Sequence, residues 1–133
     1  FIPMLMDTGG NSGGQASVTI IRAMSLGDVE FADWLRVIWK ELRVSFLCAI
    51  TLGAVVFGKV MAVDRKDATV ALVVALTIFF TIVIAKLIGC TLPMLAKRLG
   101  FDPAVMASPF ITTVVDALSL LVYFAIATQV LGL

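Results

Sequence analysis

The sequence predicts an all-α protein: a polytopic bundle of transmembrane helices with four spans, plus one amphipathic helix lying at the membrane interface. Three observations predict it. The 133-residue chain is 61% hydrophobic with a mean hydropathy of +1.10, against about 45–50% apolar residues in a soluble domain. Its apolar stretches approach the ~20 residues that a helix needs to cross a bilayer. Short polar segments stand between them, SLGD at Ser25–Asp28, DRKD at Asp64–Asp67 and AKRLGFD at Ala96–Asp102, and return the chain. By length this is one domain, residues 1–133.

Composition also limits function. The net charge of +1 implies no strong electrostatic partner, and nothing forms a nucleic-acid patch; membrane lipid is the partner such a composition implies. Histidine is absent. Cys48 and Cys90 are single residues inside apolar segments, without metal-ligand or disulfide-framework spacing, and read as reduced packing residues. The chain begins without a methionine and its first apolar segment is short, so it is expected to be a fragment whose upstream part is missing. No signal peptide is visible.

The first segment, Phe1 to about Met24, starts apolar, becomes small and polar, and turns apolar again. Gly9, Gly10, Gly13 and Gly14 crowd its middle. In water that density reads as a loop. In a membrane, small residues let helices approach closely, and neighbours resatisfy the backbone. Asn11 and Gln15 stand at i, i+4 and share a face. A phosphate-binding glycine loop is the rival, but it lacks the lysine and the serine or threonine of a P-loop, and no strand precedes it.

Asp28 is placed to cap the next helix. From Phe31 to Arg43, the residues Phe31, Trp34, Leu35, Ile38, Trp39 and Leu42 fall at amphipathic helical spacing, with Asp33, Arg36, Lys40 and Arg43 on other faces. Two tryptophans beside basic residues suit a helix at headgroup level; the alternative is a soluble connecting helix packed on another domain. Val44–Val63 is the second span, with Lys59 near its end able to snorkel. The tight DRKD loop makes it an antiparallel neighbour of the third span, Ala68 to about Leu95, with Pro93 near its exit. Asp102 can then cap the last helix, with Pro103 in the first position, where proline is favoured. That helix holds the fourth span, Ala104–Leu131.

Lysine and arginine counts orient the bundle. Arg22, Arg36, Lys40, Arg43, Lys97 and Arg98 fall on one side, and Lys59, Arg65 and Lys66 on the other. The amphipathic helix and the KRLG loop are therefore expected in the cytoplasm, the DRKD loop and the C-terminus outside. Lys86 stands apart, ~12–16 Å deep in the third span at 1.5 Å per residue. It reads as a partner for Asp7 or Asp116, as a charge lining a vestibule, or as a partly snorkelled side chain with local water. An unpaired ammonium in hydrocarbon is costly, so it is expected to face protein or water rather than lipid tails.

The last span carries the chemistry. Asp116 sits near its middle and is the one formal charge after Asp102. An aspartate at a helix centre costs roughly 2.5–3.5 kcal/mol on insertion, and such charges usually face a bundle interior or a water-filled path. Ser108, Thr112, Asp116, Ser119 and Tyr123 recur at helical spacing and line one face, each with an oxygen. The hydroxyls alone could bond back to their own helix, but that does not account for Asp116. Oxygen ligands suit hard cations such as Mg2+ and Ca2+, and Mg2+ keeps several of its waters. Zinc or copper would want a histidine or cysteine cluster. A symmetric dimer would bring two Asp116 side chains together, and Gly10, Gly13, Gly14 and Ser17 offer the first helix a small-residue face for it. Nothing resembles a hydrolase triad, a glycosidase carboxylate pair or a redox site, so no enzymatic activity is expected.

PMLMDTGGNSGGQAS, Pro3–Ser17, resembles the signature of the MgtE family of magnesium channels, a proline followed by GGN, G and Q. WLRVIWKEL is similar to that family's linker between its second and third transmembrane helices. LPMLAKRLGFDPAVMASPFITTVVD, Leu92–Asp116, is similar to its fourth-helix exit and fifth helix. The match covers nearly the whole chain in order. The resemblance implies a multi-pass plasma- or inner-membrane protein, a homodimer of five-helix subunits, here lacking the first helix, with Mg2+ as the transported ion. It implies a pore at the dimer axis lined by the family's second and fifth helices. Asp116 would bind hydrated Mg2+, and the backbone carbonyl one turn earlier, at Thr112, would contribute. Gly9, Gly10, Asn11 and Gln15 would line the pore beside them, with Ser108, Thr113 and Ser119 on the last helix. Cytoplasmic regulatory domains, common in the family, would lie outside this chain. Lys86 matches no family role. Two rivals stand: a coupled carrier exchanging Mg2+ against Na+ or H+, and a membrane assembly module without transport, in which Asp116 pairs permanently with a cation such as Lys86.

Overall fold

The computed structural model describes residues 1–106 and 109–132. Four α-helices make up the fold: α1 (Ile2–Ser25), α2 (Trp34–Ala62), α3 (Ala68–Arg98) and α4 (Pro109–Leu131). Short 3₁₀ turns occupy Phe31–Asp33 and Pro103–Met106. Among the described residues, α2, α3 and α4 belong to the three stretches long and apolar enough to cross a membrane. At 24 residues, α1 is also long enough, about 36 Å at 1.5 Å per residue. Its polar Thr8–Gln15 stretch keeps it out of that set, so three of the four expected spans qualify and the first segment is a helix of spanning length.

The second element differs from expectation. No break separates the amphipathic stretch from the span after it; both belong to one 29-residue helix. The reason is local. Nothing between Trp34 and Ala62 is proline, and Arg43–Val44 offers no glycine or turn chemistry, so the hydrogen-bond ladder runs on. At about 44 Å the helix exceeds the ~30 Å hydrocarbon core. The surplus turns carry Trp34, Arg36, Trp39 and Lys40, the residues suited to the headgroup layer.

Two caps also shift. Asp28 does not start the helix; Asp33 Oδ2 accepts from the Glu30 N–H at 3.1 Å, closing the 3₁₀ turn that leads into α2. Asp102 Oδ1 accepts from the Ala104 N–H at 3.0 Å, but the turn it caps is the 3₁₀ turn Pro103–Met106. Helix α4 starts at Pro109. Helix α3 runs on to Arg98, beyond the expected exit near Leu95, and includes Pro93. The proline's missing N–H leaves the Gly89 carbonyl without the usual helical partner.

Helix α3 is the centre of the bundle and packs on the other three. It runs antiparallel to α2, as the short loop Val63–Asp67 requires, with Glu41 facing Lys86 and Gly53 facing Ala75. It runs parallel to α1, Gly9 facing Thr81 and Gly13 facing Ala85 and Gly89. Leu5, Ala49, Val74, Ile78 and Ile82 form one core cluster, and Ala16, Ile20, Met24, Cys90 and Met94 another. In lipid such packing is held by van der Waals contact, not by expulsion of water. That is why close approach counts. A β-carbon on Gly89 would strike the Gly13 carbonyl.

Two residues of the expected small-residue face fall inside the chain. Gly13 and Ser17 are buried inside the chain, Gly13 against α3 and α4. Of the small residues only Gly10 and Gly14 look onto the open side of α1. The thiols of Cys48 and Cys90 are free and packed in the bundle, as expected.

Charges gather at the predicted ends. Lys97 Nζ donates to the Met24 carbonyl at 3.5 Å, and the Arg98 guanidinium lies 4.3 Å over the Phe31 ring. Lys59 pairs with Asp64 at 2.8 Å at the opposite end. Lys86 faces protein, but its partner is neither Asp7 nor Asp116. It pairs with Glu41 Oε2 at 3.8 Å, the two side chains 12% and 11% exposed.

Candidate functional site

Helices α1 and α4 cross in antiparallel sense. Gly13 meets Ile111 and Val115, Gly10 meets Thr112 and Asp116, and Gly9 meets Val115 and Ser119. The glycines make this possible. A β-carbon on Gly9 would stand 2.6 Å from Thr81 Cγ2 and 2.8 Å from Ser119 Oγ, closer than side chains tolerate. One on Gly10 would stand 3.0 Å from Thr112 Cγ2 and 3.5 Å from Asp116 Oδ1. The α1 backbone therefore lies directly against the acid.

Beside this crossing runs an open groove of about 570 Å³, lined by Gly10, Asn11, Gly14, Gln15, Val18 and Thr112, with Thr19 at its edge. Residues expected to line one path thus come together from two helices that are far apart in sequence. Asn11 and Gln15 are exposed, so their amides are available to a ligand. Thr112 is half-buried. Its carbonyl lies within regular helix, so only its second lone pair is open to a ligand.

Asp116 is half-buried beside Gly10, which lines the groove, but is not itself among the lining residues. Its Oδ1 is shut off from the surface, and no protein donor reaches it; among the described residues Ser17 Oγ and Thr81 Oγ1 share that condition. A buried, unsatisfied polar atom costs ~1–3 kcal/mol, more if charged. None of the ion pairs among the described residues involves Asp116.

Other expected residues fall elsewhere. Ser119 is buried under Gly9, its hydroxyl donating to the Val115 carbonyl at 2.7 Å, so it packs α1 on α4. Thr113 is exposed and donates to the Pro109 carbonyl at 2.9 Å; it is not among the groove's lining. Gly9 is buried behind the groove. Ser108 lies outside the described residues. Sequence reasoning missed Asp7 as a neighbour of this site: it stands one turn before Gly10 and Asn11 on α1. Its i, i+4 spacing to Asn11 was the available signal.

Long apolar helices define a multi-pass membrane protein, with a groove that offers amides and a hydroxyl and an acid beside it at Gly10. Sequence comparison makes this specific. The family model "MgtE: Divalent cation transporter" matches residues 2–126, and the chain belongs to that family. It is 37% identical over 131 residues to the magnesium transporter MgtE of Thermus thermophilus, covering 98% of this chain and 29% of the relative. It is 36% identical to that of Bacillus subtilis, covering 96% and 28%, and 33% identical to that of Enterococcus faecalis, covering 97% and 28%. The chain thus spans less than a third of the length of these relatives.

Proposed function

We propose that this chain forms the pore region of a magnesium channel, which passes hydrated Mg2+ down its electrochemical gradient. Asp116 is the ion site, at a two-fold axis between subunits. The observation that carries this reading is the Asp116 carboxylate, set beside a polar groove with no cation of the protein on it. Hydrated Mg2+ fits such a site, because the ion keeps waters that Asn11, Gln15 and the Thr112 carbonyl can accept from. A second copy facing the groove would supply a second Asp116 and balance the divalent charge. The three relatives, each named a magnesium transporter, support Mg2+ as the cargo.

The pairing of Lys86 with Glu41 weighs against the assembly-module alternative, which needs a permanent cation on Asp116. Channel and exchanger share this site chemistry and separate by energetics. Inward movement of a divalent ion through 100 mV is favoured by roughly 4.6 kcal/mol, so a passive pore suffices for uptake. The intact protein in liposomes is expected to pass Mg2+ under an imposed potential with neither a Na+ nor a proton gradient. A flux that vanishes when those gradients are collapsed would replace the channel with an exchanger, and no flux under any condition would remove transport altogether.

A further inference from the structure

Asp7 has no assigned part in this site and is not among the groove's lining residues, yet it lies on the same face of α1, about one turn beyond them. At 100° per residue it falls within ~40° of Asn11, Gly14 and Val18 around α1, in line with the stripe that lines the groove. Three residues before Gly10, it stands ~4.5 Å further along the helix axis. Because α1 and α4 are antiparallel, that step leads past Asp116 toward Leu120, away from the end that gathers Arg22, Lys97 and Arg98. Asp7 is exposed. The cations paired with acids among the described residues are Arg36, Lys59 and Lys86, held by Asp33, Asp64 and Glu41. Gly10 faces Asp116, so an Asp7 carboxylate ~4.5 Å along the axis from Gly10 stands within a screening length of that acid.

We infer that Asp7 is an entrance residue: its carboxylate concentrates divalent cations at the outer end of the groove and hands them to Asp116. The inference rests on Asp116 as the ion site. An exposed acid one turn outside a binding acid raises the local concentration of the cation and speeds its arrival, a steering effect that fades with ionic strength. It does not hold the ion during passage. Asp7 therefore governs the concentration at which transport half-saturates, while the maximal rate stays with Asp116.

The test is Mg2+ uptake by the intact protein in liposomes, for the parent and for Asp7→Asn, Asp7→Glu and Asp116→Asn, over a range of Mg2+ concentrations. At low ionic strength Asp7→Asn is expected to raise the half-saturating Mg2+ by ~3- to 10-fold with little change in maximal rate, while Asp7→Glu stays near the parent. In ~0.5 M choline chloride the difference between Asp7→Asn and the parent should shrink to nearly nothing, since the screening length falls to a few ångströms. An unchanged half-saturation in Asp7→Asn, with Asp116→Asn inactive, overturns the entrance role and leaves the ion site standing. So does a loss of maximal rate in Asp7→Asn at saturating Mg2+. Parent-like transport by Asp116→Asn removes the ion site itself, and the entrance role with it.

Discussion

Asp116→Asn is expected to lower Mg2+ uptake on the order of 30- to 100-fold while leaving the bundle folded. A divalent ion one water away from a carboxylate, ~4–5 Å, is attracted by roughly 7–8 kcal/mol at an effective dielectric of about 20. Most of this is offset by lost hydration. If about a third survives as net stabilisation, ~2–2.8 kcal/mol, losing it costs this factor, at 1.4 kcal/mol per tenfold. The amide keeps the side chain's shape beside Gly10 and Thr112 but not its charge. Stability should not suffer, because Asp116 Oδ1 receives no hydrogen bond that the substitution could break. The melting temperature in detergent should be at or above the parent's, since an embedded charge is costly in the unloaded protein. Parent-like uptake, with undiminished dependence on Mg2+, would take Asp116 out of the path.

Glu41→Ala is expected to have the largest effect on stability, a loss of ~3–5 kcal/mol, because it leaves the Lys86 ammonium buried and unpaired. The pair bridges α2 and α3 at 3.8 Å with little exposure on either side. The attraction within such a pair roughly balances the desolvation of both charges. Replacing both with apolar residues is therefore expected to recover most of the loss, as in Glu41→Leu with Lys86→Met. Thermal unfolding followed by the fluorescence of Trp34 and Trp39 measures this. A Glu41→Ala protein that melts with the parent would mean that Lys86 draws its stabilisation from elsewhere, and the double variant would then show no coupling.

The sequence made the helices legible because apolar length and polar punctuation are local properties. The same holds for the acid: a lone carboxylate in an apolar run advertises itself, and spacing puts Thr112 on its face. Contacts across helices were less legible. Breaking the chain at Arg43–Val44 left Glu41 in the headgroup layer and out of consideration for Lys86. Only the unbroken α2 carries it along α3 to that residue. The glycines were ambiguous for a related reason. Gly9, Gly10, Gly13 and Gly14 occupy so much of the circumference of α1 that spacing cannot tell the face packed on α3 from the face left open. Ser119 shows the angular limit. It lies ~60° around α4 from Asp116 at 100° per residue, enough to place it under Gly9 rather than in the groove. The 3₁₀ turn after Asp102 was hidden because an aspartate–proline start caps a tight turn as readily as a helix.

Asp116 is proposed to hold a hydrated divalent cation in the groove beside the α1–α4 crossing. Anomalous diffraction from crystals of the intact protein equilibrated with Mn2+ tests it directly, since Mn2+ shares the preference of Mg2+ for oxygen ligands. An anomalous peak is expected in the groove facing the Asp116 carboxylate, about one water molecule away from it, and absent from Asp116→Asn crystals grown with the same ion. A parent groove without a peak, or a peak unchanged in Asp116→Asn, would mean that Asp116 holds no divalent ion there.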